Sequence, residues 1–277
     1  MIRKQVAVVT LHRKSDQIAP AFREISGFEL QEIRIDTDLF GTFAGDIERR
    51  LPPKENAIAK ARKGIEISGI SRAIASEGSI GPDPMVPFVI SDHEVMVYLD
   101  EEEELVISES YRSFEIVAIT EEVSLDTPIE PILLKADFPR HKVILKAFGD
   151  SGTSIIKDLA TIDEIRSGIK ELVIRGSDGR VTIESDLRAH CSPSRQKNIE
   201  EVAKLLAKRV ATLCPACRRR GFGRIDYERG VPCSECHRIN SEVASRVIDG
   251  CDGCGHQESG EVLREVIEAA QCQYCNP

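Results

Sequence analysis

The chain has 277 residues and a formal net charge of −9 at pH 7, with 41% hydrophobic residues, 5% aromatic residues and no Trp. That length suits one large or two modest domains. The charge argues against wholesale nucleic-acid binding, which needs a basic footprint, and no segment approaches the ~20 apolar residues of a membrane helix.

The N-terminal stretch Met1-Ile-Arg-Lys-Gln-Val-Ala-Val-Val-Thr10 reads as a first β-strand rather than a targeting segment. With no export signal, a cytoplasmic location is expected, where paired cysteines mean metal or redox chemistry. Asp16 to Ser26 reads as a helix, with Ile18, Ala21, Phe22 and Ile25 on one face. Phe28 to Ile35 alternates as a second strand, and a long loop with Gly41, Gly45, Pro52 and Pro53 follows. Glu55 to Ser68 is a helix stopped by Gly69. Ala73-Ile-Ala75 is a short strand expected to end in a turn at Ser76-Glu77-Gly78-Ser79. Strand and helix alternate, which predicts an α/β domain with a mixed sheet flanked by helices.

Further strands are expected at Glu94–Leu99, Glu104–Ser108, Ser113–Ile119, Lys142–Ala147 and Val181–Glu184, and a helix over Thr161–Ile169. Asp100 to Glu104 reads as a solvated turn. Lys197 to Val210 is an amphipathic helix with Ile199, Val202, Leu205, Leu206 and Val210 as its buried stripe.

Eight of the nine cysteines form four knuckles: Cys214/Cys217, Cys233/Cys236, Cys251/Cys254 and Cys272/Cys275. A Cys-x-x-Cys turn puts two thiolates on one side, and two such turns make the four-sulfur shell that Zn²⁺ prefers. Eight ligands suit two structural zinc ions. A thioredoxin-like motif uses a single knuckle. A zinc deaminase needs a His-x-Glu half that is missing here. Iron–sulfur ligation is compatible with the ligands alone. Pairing in order, first with second and third with fourth, is the simplest arrangement, and an interleaved one is also open. Glu261 to Ala270 has helical periodicity between the last two knuckles. His237 and His256 stand beside knuckles and read as neighbours of the ligands or as solvated.

Two polar clusters could carry chemistry. Thr10 and His12-Arg13-Lys14 follow the first strand, Glu48, Glu55 and Asn56 flank the second helix, and Glu77-Gly-Ser79 follow the third strand. In open α/β sheets ligands collect at the carboxyl ends of strands. A Lys near a helix start suits phosphate, and Glu48 and Glu77 suit Mg²⁺. A purely structural role for these residues, as helix and turn formers, is the competing reading. The second cluster is Asp186, Arg188, His190 and Arg195, which reads either as anion or base recognition or as surface charge. Cys191 reads as a small buried hydrophobe.

The stretch Glu48-x7-Asn56-Ala57-x2-Lys60-Ala61, then Ser68-Gly69 and Ala73-Ile-Ala-Ser-Glu77-Gly-Ser79, resembles the inosine triphosphate pyrophosphatase superfamily. The resemblance covers roughly residues 1–85. It implies that Lys14 is the phosphate-binding lysine, Glu48 the metal-binding glutamate, and Glu77 the counterpart of the catalytic aspartate. Arg188-Ala-His190 with Arg195 is similar to the family's purine-holding turn. The phrases Ala75-Ser-Glu-Gly-Ser-x-Gly-Pro-x-Pro84 and Arg188-Ala-His-x-x-Pro-x-Arg195, followed by four knuckles, resemble an uncharacterised bacterial domain family with no assigned activity.

The expectation is therefore an α/β nucleotide-binding domain over 1–210 and a zinc module over 211–277. The expected activity is Mg²⁺-dependent release of pyrophosphate from a nucleotide. Glu48, Glu77 and Lys14 would be catalytic, and Thr10, Asn56, Ser79, Arg188, His190 and Arg195 would bind substrate. The alternative is a non-catalytic nucleotide sensor whose zinc module docks on a protein or nucleic acid, with Arg218-Arg-Arg220 as the basic run that could serve it.

Overall fold

A computed structural model describes residues 5–35, 51–149, 152–175 and 180–277. The chain divides into two compact units, Met1–Leu206 and Ala207–Pro277.

The first unit opens with β1 (Gln5–Val9), α1 (Ser15–Ala21) continued by a π-turn to Ser26, and β2 (Glu29–Ile33). Then come α2 (Pro53–Ser68), β3 (Arg72–Pro82), β4 (Ile90–Asp100) and β5 (Leu105–Ser113). Pro53 opens α2, where a missing N–H costs nothing, and Gly69 closes it at φ 68°. The sheet order is β2-β1-β3-β4-β5, with β1 parallel to both neighbours and β3, β4 and β5 antiparallel. The chain leaves β1 toward β2 on one side and returns to β3 on the other. The carboxyl end of β1, beside the middle of β3, therefore marks a topological switch point, the place where ligands collect in open α/β sheets. Residues alternate along β1 and β3, so Ala7, Val9, Ala73 and Ala75 join Ala61 and Ile65 of α2 in one core layer.

Two local expectations are corrected here. The third strand does not turn at Gly78; β3 runs straight through it for 11 residues. Gly78 serves close approach instead, because a Cβ there would collide with the Glu94 carboxylate and the Arg195 guanidinium. Residues 114–119 are not a strand. Their backbone is taken by side chains, with Val117 N–H donating to Ser194 Oγ and Ile119 N–H to Ser185 Oγ.

The second sheet of this unit has the order β6-β9-β7-β8, all antiparallel, from β6 (Thr120–Val123), β7 (Val143–Gly149), β8 (Gly152–Ile156) and β9 (Val181–Ser185). Helices α3 (Glu130–Lys135) and α4 (Ile162–Arg175) accompany it, and Leu133, Val143, Leu145, Ile165, Leu172 and Ile183 lie in its core. A 3₁₀ turn (Ala189–Cys191) leads from β9 to α5 (Pro193–Ala211), whose side chains Ile199, Val202, Leu206 and Val210 are buried. Leu205, expected in that stripe, is exposed.

The second unit is a three-stranded antiparallel sheet of β10 (Gly223–Pro232), β11 (Ile239–Gly250) and β12 (Gln257–Val262). The helix expected over Glu261–Ala270 is absent. Of its apolar residues Ile267 is buried while Val262, Leu263 and Val266 stay exposed, so they share no single face. The Ile267 backbone instead bonds Pro232 O and Ser234 N–H.

Candidate functional site

The polar cluster of the first unit is built where β1 stops and β3 continues. Thr10 Oγ1 accepts from the His12 and Lys14 backbone N–H groups at 3.1 and 3.2 Å, which folds the polar turn back over the strand end. Lys14 Nζ then reaches Ser76 Oγ at 2.9 Å. Burial pushes the Lys14 ammonium down to about 8, with Glu94 opposing the shift and Arg195 adding to it.

Alternation sends the next residue of β3, Glu77, to the face covered by α2. Lys60 forms an ion pair with its carboxylate, and Asn56 Nδ2 donates to Oε1 at 3.1 Å. All three side chains are buried. Among the expected site residues the structure thus gathers Thr10, Lys14, Asn56 and Glu77. Ser79 lies further along β3 and is exposed, and Glu48 lies outside the described residues.

On the face of β3 and β4 opposite Glu77, Glu94 stands across from Gly78 in register. Arg195 Nε donates to Glu94 Oε1 and Nη1 to Leu187 O, both at 2.6 Å. One turn along α5, Asn198 Nδ2 donates to Asp92 Oδ2 at 2.8 Å. Burial, then the neighbouring Glu94 charge, push Asp92 up to about 7 against the Asn198 hydrogen bond. Asp92 Oδ1 is buried with no hydrogen-bond partner among the described residues. Lys60, Asp92, Glu94 and Asn198 are the members of this cluster that sequence reasoning did not assign. Lys60 was visible within the Asn56-Ala57-x2-Lys60 phrase, one helical turn from Asn56; the other three had no motif to mark them.

The turn 186–195 lies beside this cluster. Asp186 receives Arg188 Nε and Nη2, and Arg188 also reaches Asp158 at 2.7 Å. Burial alone would raise the Asp186 carboxyl, but the Arg188 side chain and backbone bonds outweigh it and lower it. The His190 ring lies 5.3 Å from the His12 ring, centroid to centroid. Burial and this neighbour push His12 down to about 4; burial, then Arg188, lower His190. His190 and Arg188 therefore face the β1 turn, whereas Arg195 is buried behind it.

His141 joins Asp137 (Nδ1, 2.8 Å) to Ser194 (Nε2, 3.0 Å), the connectivity of a nucleophile relay. Its Nε2 also accepts the Ser194 backbone N–H at 3.1 Å, and Ser194 Oγ accepts from Val117. The hydroxyl is thus held on both sides, and the group anchors the start of α5.

In the second unit the cysteines form two clusters that could each hold a metal ion, and their pairing is interleaved. Cys214, Cys217, Cys251 and Cys254 make one; Cys233, Cys236, Cys272 and Cys275 make the other. Cross-knuckle sulfur pairs are 3.7 and 3.6 Å apart in the first cluster, and 3.8 and 3.7 Å in the second. A disulfide needs about 2.05 Å. A zinc ion about 2.3 Å from four sulfurs spaces them about 3.8 Å along the edges of a tetrahedron. The observed edges fit the ion and not the disulfide. Asn240 Nδ2 donates to Cys272 Sγ at 3.6 Å, and the Glu235 and Tyr274 N–H groups bond Cys233 and Cys272 sulfurs at 3.4 Å. The register explains the interleaving. The first and third knuckles flank the Gly223–Gly250 end of the β10–β11 ribbon, and the second sits in the turn beyond Pro232–Ile239. His256 pairs with Glu258 at 2.8 Å, and neither it nor His237 belongs to a cluster.

A mixed α/β unit and a sheet unit with two four-sulfur clusters define the class of protein. The chain belongs to the family described as a domain of unknown function (DUF6671), which matches residues 60–277. No curated protein matches the chain. The crystal structure of protein VC0702 from Vibrio cholerae is similar over 74% of this chain and 93% of that chain, at 10% identity and a TM-score of 0.32, too low to bear on fold or function. Among the described residues no helix is long and apolar enough to cross a membrane.

Proposed function

We propose that the first unit is a metal-dependent nucleotide hydrolase that releases pyrophosphate from a nucleoside triphosphate or related nucleotide, on an inosine triphosphate pyrophosphatase-like plan. The observation that carries this reading is the gathering of Lys14, Ser76, Asn56, Lys60 and Glu77 at the switch point beyond β1. Lys14, in the turn beyond β1, suits a phosphate, whose charge it neutralises as it develops. Thr10 shapes the lysine-bearing turn, and Arg188, His190 and Ser79 are assigned to the base or tail. Arg195, buried on Glu94, is assigned to positioning.

Mg²⁺ held by Glu77 with Glu48 would polarise the phosphate and acidify an attacking water. The fit of Glu77 to that ion is partial: its carboxylate is a hard donor, but Lys60 and Asn56 already engage Oε1. We assign zinc, in a structural role, to both four-sulfur clusters, and a reducing cytoplasm in which their thiolates persist.

The Lys60–Glu77 pair favours a second reading, because it compensates a carboxylate that the catalytic metal would use. In it the polar cluster binds a nucleotide without turnover, and the zinc unit docks on a protein or nucleic acid. A nucleotide panel with Mg²⁺, read by pyrophosphate detection and by equilibrium binding in parallel, separates the two. Pyrophosphate release supports the hydrolase. Binding without release moves the assignment to the sensor.

A further inference from the structure

The second sheet of the first unit brings together three donors of unlike chemistry. Strands β8 and β9 both run antiparallel to β7, so their carboxyl ends lie at the same edge of the sheet. Asp158 follows β8, and the 3₁₀ turn carrying His190 and Cys191 follows β9. One carboxylate oxygen, one imidazole nitrogen and the Cys191 sulfur all lie within 4.8 Å of one another. The Lys142 N–H bonds Cys191 O at 3.0 Å and the Asp186 N–H bonds Lys142 O at 2.8 Å, which fixes the backbone of the turn against the start of β7.

We propose that Asp158, His190 and Cys191 form a third metal site, for a zinc-like divalent transition ion, with one coordination position open. A sulfur–nitrogen–oxygen set selects such ions, whereas Mg²⁺ and Ca²⁺ take oxygen shells. Three protein ligands leave the fourth tetrahedral position for water or a substrate atom, unlike the closed four-sulfur clusters. Drawing the donors onto one ion requires pairs of them to close by up to about 1.4 Å. Asp158 and His190 are exposed and can turn to do so, while buried Cys191 supplies the fixed point.

Charge agrees with the geometry. Asp158 and Asp186 share one guanidinium, that of Arg188. That set carries one excess negative charge. Binding a dication releases the Cys191 thiol proton to solvent and adds one positive charge in net, which makes the set neutral. Arg188 stays on Asp158 as an outer donor that orients the ligand carboxylate. The His12 ring, 5.3 Å from that of His190, makes the site a neighbour of the β1 turn.

The site shares His190 and Arg188 with the nucleotide reading but does not require hydrolysis, and it is tested without activity. The full chain, dialysed against a weak chelator until two zinc ions per chain remain in the closed four-sulfur clusters and gel-filtered, is titrated with Co²⁺ while released zinc is measured. The expected result is one Co²⁺ bound per chain with no matching zinc release, together with a thiolate-to-cobalt charge-transfer band. Cys191→Ala should abolish the band, and Asp158→Asn should weaken binding at least tenfold. Asp158 has a side chain 72% exposed, so its replacement leaves the fold intact. Cobalt bound only in exchange for zinc, a band that survives Cys191→Ala, or affinity unchanged by Asp158→Asn would overturn the site.

Discussion

Glu77 and Asp92 are both buried carboxylates, but their surroundings treat them differently. Glu77 meets an ammonium and an amide, so Glu77→Gln keeps its shape and leaves Lys60 facing a neutral partner. On the hydrolase reading this change lowers pyrophosphate release by at least ~10²-fold, as for deletion of one transition-state contact; wild-type rates in the variant would remove Glu77 from the chemistry. Asp92 meets an amide and a second carboxylate, and its folded pKa of about 7 lies above the ordinary 3.8. The folded state thus binds more protons between these values, and stability falls as pH rises from about 4 to 7. Asp92→Asn keeps the acceptor for Asn198 and removes the buried charge. It should stabilise the fold at pH 8 by about 4 kcal/mol at most, read as a higher thermal midpoint, with the gain vanishing near pH 4. An equal gain at both values would place the origin elsewhere.

At the scale of elements, β3 joins the two halves of the candidate site, and Gly78 is where it admits α5's Arg195. Gly78→Ala should cost about 1–3 kcal/mol as the overpacked pair is displaced. Gly81→Ala, where a Cβ meets nothing within 4 Å, should stay near wild type in urea unfolding. Matching midpoints for the two variants would deny the close approach. This strand also marks how far the sequence could be read. The end of α2 at Gly69 was legible because a glycine stop is local, and Lys14 and Glu77 were singled out as polar residues close to strands. The length of β3 was not, since Gly78, Gly81 and Pro82 carry turn chemistry and only the pairing with β4 overrides it. Asp92, Glu94 and Asn198 were hidden for the same reason: a residue 106 positions from its partner leaves no spacing to recognise. The six-residue α3 and five-residue β8 were too short for their pattern to rise above that of a loop.

In the whole molecule, the second unit tests most directly. The four knuckles were plain in the sequence, but their partners depend on the β10–β11 register, which thiol spacing does not encode. Interleaving predicts a specific additivity. Cys214→Ser and Cys251→Ser, separately or together, should each cost one tightly held zinc per chain, while Cys214→Ser with Cys233→Ser should cost two. In-order pairing predicts the reverse, and elemental analysis of the gel-filtered variants decides. Chelation should likewise loosen Ala207–Pro277 while the first unit stays resistant to limited proteolysis. Digestion of both units at equal rates would show that they do not fold separately.

The crossed order of the knuckles also bears on how the protein is made. A ribosome delivers Cys214, Cys217, Cys233 and Cys236 before the third knuckle exists. Those four thiols form a complete shell of their own, and a metal ion arriving early meets that shell first. The native arrangement then requires that ion to exchange Cys233 and Cys236 for Cys251 and Cys254, and the released pair joins Cys272 and Cys275 as they follow. An ion bound that early makes maturation a ligand-exchange process. Scarce metal during synthesis favours direct formation of the native pairing, and abundant metal favours a detour through the in-order shell.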